Sequence, residues 1–239
     1  MGSVRVGDFS PKVHGFHFNN AFPSEAIRTF RLGNIATLDV GDAANGLCGG
    51  MSFTVRDLFE AGLRPPPEPA PPAKGNPRLS YIIDRQIESF DNGIVPLRFF
   101  KLMDPARPER EPLWAELLGR IGIDKHSRTW VMVNVEWPAI RRDLDTGSLS
   151  TVGLVKVISL DPNRLGLNHQ VVAYGYDLDG TTVTLRLYDP NFADDEDVTL
   201  RFDTADPRSA ITTTWSRPPD SVFCFFRAPY TKRDPAPFR

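Results

Sequence analysis

The sequence predicts an α+β fold, with helices concentrated in the first part of the chain and an antiparallel sheet in the second. Two observations predict it. Before about residue 147, apolar residues recur at helical spacing in separate windows. From residue 151 onward they fall into short runs divided by turn residues such as Asp179-Gly180 and Asp189-Pro190-Asn191. A length of 239 residues suits one domain, 1–239, made of two intimate lobes: 1–147 mainly helical and 148–239 mainly sheet.

The elements follow in chain order. Residues 1–34 read as irregular structure with short extended pieces, and Gly15 to Asn20 alternates as a strand does. Residues 41–50 form a glycine-rich loop. After it Met51, Val55, Leu58 and Phe59 recur at helical spacing, which predicts a helix from about Cys48 to Gly62. The proline-rich stretch over 64–77 lacks the donors for internal hydrogen bonds and reads as a stiff, extended surface loop. Helices are expected over 78–90, carrying Leu79, Ile82, Ile83, Ile87 and Phe90 on one face, and over 111–121, carrying Leu113, Trp114, Leu117, Leu118 and Ile121. A short helix is expected over Pro138 to Asp145, with the proline in its first turn. Six strands are expected over 151–159, 168–176, 181–188, 197–202, 210–216 and 222–227.

Composition narrows the function classes. Lys plus Arg number 28 against 30 Asp plus Glu, so no global basic field exists to hold a nucleic acid. No apolar run approaches the length of a membrane span, and the N-terminal residues have no apolar leader. Only two cysteines occur, Cys48 and Cys224, too few for a disulfide framework. A cytoplasmic protein with reduced thiols is therefore the expectation.

The chemistry centres on Cys48. It follows the glycine-rich loop and opens a predicted helix, whose unpaired N–H groups and partial positive charge stabilise a thiolate. The flanking glycines suggest a place where a substrate carbonyl approaches the backbone closely, with the Cys48 N–H as an oxyanion donor. Cys224 sits in the apolar run Val222-Phe223-Cys224-Phe225-Phe226 and reads as packing. Of the four histidines, His14, His17 and His126 have no evident carboxylate partner, whereas His169 opens a strand. A three-residue hairpin loop Leu178-Asp179-Gly180 would set Asp177 opposite Thr181 and His169 opposite Asp189. A one-residue change of the loop would set Pro190 there instead, and a further one Asn191. Directly opposed residues share a face, so Asp189 or Asn191 can fix the imidazole tautomer and leave the other nitrogen for Cys48.

Three windows carry a family resemblance: Asn45 to Phe53 around the cysteine, Asn168 to Tyr176 around the histidine, and Leu187 to Asn191. Together they resemble the papain-like cysteine peptidase superfamily, closest in style to bacterial members such as the peptidases that cleave bacteriocin leaders. The resemblance implies a helical lobe presenting Cys48, a sheet lobe presenting His169, and Asp189 as the third member. It implies a peptide, amide or thioester substrate, an acyl-enzyme on Cys48, and no cofactor or metal. The family's oxyanion glutamine, six residues before the cysteine, is Asp42 here, and Asn45 is the candidate replacement. Two alternatives remain, of which the first uses the same site and the second binds a partner through the helical lobe and the proline-rich loop. One is acyl transfer, including a Dieckmann-type cyclase, for which Asp84 offers the order Cys, Asp, His. The other is a binding module without activity.

Overall fold

The computed structural model describes residues 2–22, 28–32, 36–40, 46–108, 126–206, 209–215 and 221–239. The expected helix over 111–121 lies outside them, as do Asp42 and Asn45.

The described residues form a mixed α+β fold. Its main sheet has seven strands: β1 (Gly2–Arg5), β4 (Ser150–Val155), β5 (His169–Asp179), β6 (Thr182–Tyr188), β7 (Thr199–Asp203), β8 (Thr212–Thr213) and β9 (Cys224–Arg227). They run in the order β8-β7-β6-β5-β4-β9, every pairing antiparallel. β1 also joins β5, pairing with its second half while β4 pairs with its first half. A separate hairpin joins β2 (Arg28–Leu32) to β3 (Ala36–Val40).

β5 is buried along Gln170 to Tyr176, as a central strand covered on both faces should be. β6 alternates instead: Val183, Leu185 and Leu187 enter the core while Thr182, Thr184 and Arg186 are partly exposed. The sheet is thus a continuous apolar wall at β5, and α2 (Cys48–Glu60) packs between that strand and α3 (Pro77–Glu88).

Residues Gly49 to Leu58 of α2 are all buried, including the charged pair Arg56 and Asp57. Buried charges persist only with partners. Asp57 accepts from the Tyr81 and Tyr230 hydroxyls, each at 2.8 Å, and from the Arg233 N–H at 2.9 Å. The Arg85 Nε lies 2.7 Å from its other oxygen. Arg56 stacks 3.6 Å above the Tyr230 ring and donates to Thr151. These contacts tie α2, α3 and the C-terminal tail into one unit.

The glycines after Cys48 serve this packing. A Cβ on Gly50 would lie 2.2 Å from the Ile82 carbonyl oxygen, and one on Gly49 would lie 2.3 Å from the Ser89 Oγ. Both glycines are buried, so they admit helix α3, where the sequence suggested an approaching substrate carbonyl. Gly50→Ala should therefore lower stability by about 1–3 kcal/mol, because the clash is with backbone that cannot rotate away. A denaturant midpoint equal to wild type would show that α3 yields at no cost.

Other expectations change. Gly15 to Asn20 is not a strand. Phe16 and Phe18 are both buried, which accounts for the alternation, but among the described residues no strand pairs with this segment. The Asn20 N–H instead bonds to the Pro190 carbonyl. A four-residue helix, α1 (Pro11–His14), precedes this segment. α4 (Ile94–Met103), absent from the sequence reading, buries Val95, Phe99, Leu102 and Met103. The helix expected from Pro138 begins earlier. It runs through α5 (Arg128–Val131), a widened π-helical turn over Met132–Glu136, and α6 (Trp137–Asp145). The wide turn lies where Pro138 lacks an N–H to continue a regular α-helix. Of the described residues 210–215 in the expected 210–216 strand, Thr212 and Thr213 form β8.

The proline-rich loop lines a cleft of about 310 Å³ together with Phe16, Phe18, Phe238 and the Glu68–Arg78 ion pair. Among the described residues, no helix is long and apolar enough to cross a membrane.

Candidate active site

Three elements bring Cys48, His169 and Asp189 together. Cys48 is the first residue of the thirteen-residue helix α2 and is partly exposed. His169 is the first residue of β5, and Asp189 follows the end of β6. The His169 Nε2 lies 2.6 Å from the Asp189 Oδ1, and both residues are buried, at 6% and 1% exposure. His169 and the Cys48 thiol lie close enough to act on each other's charge. With Nε2 held by Asp189, Nδ1 is the ring nitrogen left to exchange a proton with a thiol.

Asp189 reaches His169 by a route the hairpin arithmetic did not foresee. Asp177 pairs with Thr184, three residues beyond the expected partner, and Asp179 with Thr182. The hairpin therefore closes over Gly180 and Thr181, with Gly180 in the left-handed region at φ +60°. A bulge between Ala173 and Gly175 changes the register by one, and the ladder ends where Val172 pairs with Tyr188. Continuing that register would set Asn191, not Asp189, opposite His169. The chain turns first. Asp189 Oδ1 accepts the Asn191 N–H at 2.8 Å, closing an Asx turn, and the same oxygen meets the imidazole. Asp189 thus initiates the turn and contacts the ring at once, while Asn191 points its side-chain oxygen at Asn20.

Electrostatics follow from this geometry. Burial alone would raise the Cys48 thiol. The His169 charge, its hydrogen bond and the Gln170 backbone N–H outweigh burial and a smaller push from Asp189, so the thiol lies below its ordinary value. Burial alone would strip the proton from His169, but Asp189 and Cys48 hold it and push the imidazole up to about 10. Each group thus favours the charged form of the other, the thiol shifted down and the imidazole up. Position adds to this, because the N-terminus of α2 directs its partial positive charge at the sulfur. Neighbouring side chains brace the helix start. The Gly50 N–H donates to Gln86 Oε1 at 2.7 Å, and the Ser52 hydroxyl donates to the Gln170 carbonyl at 3.2 Å.

The other sequence candidates fall elsewhere. Cys224 is fully buried, its thiol pushed up to about 12 by burial, and both cysteines are free. Asp84 lies on the exposed side of α3, 3.7 Å from Arg233. Arg85, its neighbour in sequence, is 1% exposed and serves Asp57. His17 does have a carboxylate partner, Asp194, at 2.6 Å. His14 packs against Phe9, and His126 stacks on Trp130. Among the described residues, no group of three His, Cys, Asp or Glu side chains is placed to hold a metal ion.

Two residues at the site escaped the sequence reading. Gln170 adjoins His169, and its backbone amide helps to lower the Cys48 thiol. Asn20 accepts the Leu47 N–H at 2.6 Å, one residue before Cys48. Neither has a local sequence signal, since each acts through residues far along the chain.

No protein-family model, curated protein or solved structure matches this chain.

Proposed function

We propose that this chain is a papain-like thiol enzyme that cleaves a peptide, amide or thioester through an acyl-enzyme on Cys48. The observation that carries the reading is an imidazole fixed at 2.6 Å from a buried carboxylate and acting on a thiol at a helix start. The Cys48 sulfur attacks the carbonyl carbon and forms a C–S bond. The bond to the leaving amine or thiol breaks, and His169 returns its proton to that group. Water, deprotonated by His169, then attacks the thioester and releases the acid and the free thiol. A nucleophile other than water in the second step makes the same site an acyltransferase. Asp189 keeps the ring oriented throughout and favours its charged form.

An aryl thioester probe tests this. Intact mass should show one acyl group on the wild-type chain, decaying with time as the acyl-enzyme turns over, and none on Cys48→Ala. Equal labelling of the variant, or an adduct that maps to Cys224, would refute the reading.

A further inference from the structure

Residues 15–22 run between the loop that enters Cys48 and the turn that carries Asp189. Asn20 touches both. Its backbone N–H donates to the Pro190 carbonyl at 2.8 Å, and its side-chain Nδ2 donates to the Asn191 Oδ1 at 3.2 Å. Its Oδ1 accepts the Leu47 N–H at 2.6 Å. A Cβ on Gly46 would lie 2.3 Å from the Asn20 Nδ2, so the amide lies flat against the loop two residues before Cys48. Adjacent contacts anchor the segment to the same turn: the Asn19 Oδ1 accepts the Ala193 N–H at 2.8 Å, and His17 meets Asp194.

A carboxamide suits this place because it donates and accepts from one rigid plane. Leu47, the residue preceding α2, has no side-chain cap of its own. Its N–H is satisfied from across the fold, and that bond sets how the helix start meets the Asp189 turn.

We propose that Asn20 is a positioning residue for the Cys48–His169 pair, a bracket that fixes the thiol loop against the turn holding Asp189. This rests on the reading of that pair as the reactive site. Asn20 acts through Leu47 and Asn191 and keeps the sulfur in line with the imidazole. Misplacing a reacting group by about 1 Å costs on the order of a hundredfold in rate, so loss of the bracket is expected to show in the chemistry of the thiol.

The test is the rate of Cys48 alkylation by iodoacetamide across pH, read by intact mass and independent of any substrate. Asn20→Ala loses both side-chain bonds. It should lose between about tenfold and a hundredfold in rate at acid pH, and its profile should move towards that of an ordinary thiol. Asn20→Asp keeps the acceptor for Leu47 and loses the donor to Asn191, so its profile should fall between the two. An Asn20→Ala profile that superimposes on wild type overturns the inference. If Asn20→Ala does not fold, Asn20→Asp decides alone, and a profile identical to wild type overturns the bracket. Failure of the underlying reading looks different: the wild-type chain would then itself lack fast alkylation at acid pH.

Discussion

Iodoacetamide is expected to alkylate Cys48 at an acid pH where an ordinary thiol is nearly inert, and His169→Ala should abolish that advantage. The sign follows from the site. The thiolate is the nucleophile, and a thiol held below its ordinary value keeps its thiolate as pH falls. Without the imidazolium, burial is left as the dominant influence on Cys48, and the thiol moves back up. At about pH 5 an ordinary thiol, with its pKa near 8.5, is roughly one part in three thousand thiolate. A low-pKa thiolate is also intrinsically less nucleophilic, which returns part of that factor, so the expected loss is about tenfold to a hundredfold. The shape of the profile is the sharper readout: a plateau reaching into acid pH for wild type, and a steady decline for the variant. Above about pH 10 His169 loses its proton and the two profiles should converge. Cys224 is fully buried and should stay silent throughout, so a single adduct reports Cys48. Superimposable profiles for the two proteins would mean that His169 does not govern the thiol.

Asp57→Ala should have the largest effect on stability. Asp57 is fully buried on α2 and receives two tyrosine hydroxyls, a backbone N–H and the Arg85 guanidinium. Removing it leaves Arg85 in the interior without that carboxylate, and breaking a buried charge pair this way costs about 3–5 kcal/mol. Arg85 still donates to the Thr231 carbonyl and contacts Glu88, which places the expected loss nearer the lower end. Asp57→Asn should cost less. Burial pushes the Asp57 carboxyl above the usual carboxylate range despite its donors, and a neutral amide oxygen still accepts from one of the two tyrosines, which use different carboxylate oxygens. Denaturant unfolding of both variants measures the difference. Because Tyr230 and Arg233 belong to the tail that Asp57 anchors, Asp57→Ala should also open that tail to trypsin at Lys232 or Arg233. A midpoint for Asp57→Ala within error of wild type would mean that Arg85 is satisfied without it.

Much of the fold was legible because its signals are local. The apolar spacing of Met51, Val55 and Leu58 marks α2, and the alternation of Val183, Leu185 and Leu187 marks β6. The change from helical to strand periodicity predicts the α+β arrangement that the structure shows. Phe16 and Phe18 alternate just as well, yet form no strand, since a strand needs a partner that local sequence does not name. Pro138 marks a helix start but does not disclose the widened turn that carries the helix back to Arg128.

The candidate site divides in the same way. Cys48 could be singled out from its own neighbourhood, because a glycine-rich loop before a helix is a local pattern with a local electrostatic consequence. His169 and Asp189 could be paired only by assuming a hairpin, and the assumed register was two to three residues out. The contact exists because the Ala173–Gly175 bulge and the Asx turn at Asp189 redirect the chain. Bulges and turns depend on how strands close against a whole sheet, so periodicity does not reveal them. The role of Gly49 and Gly50 shows the reverse: their presence is plain in the sequence, but only the position of α3 shows what they make room for. The chain alone thus determined which residues can act as a thiol, a base and a carboxylate, through chemistry that belongs to each side chain. The tertiary structure decided that they meet, and added Asn20, Gln170 and the Asp57 cluster, because contacts between residues far apart in sequence are set by packing and not by any local pattern.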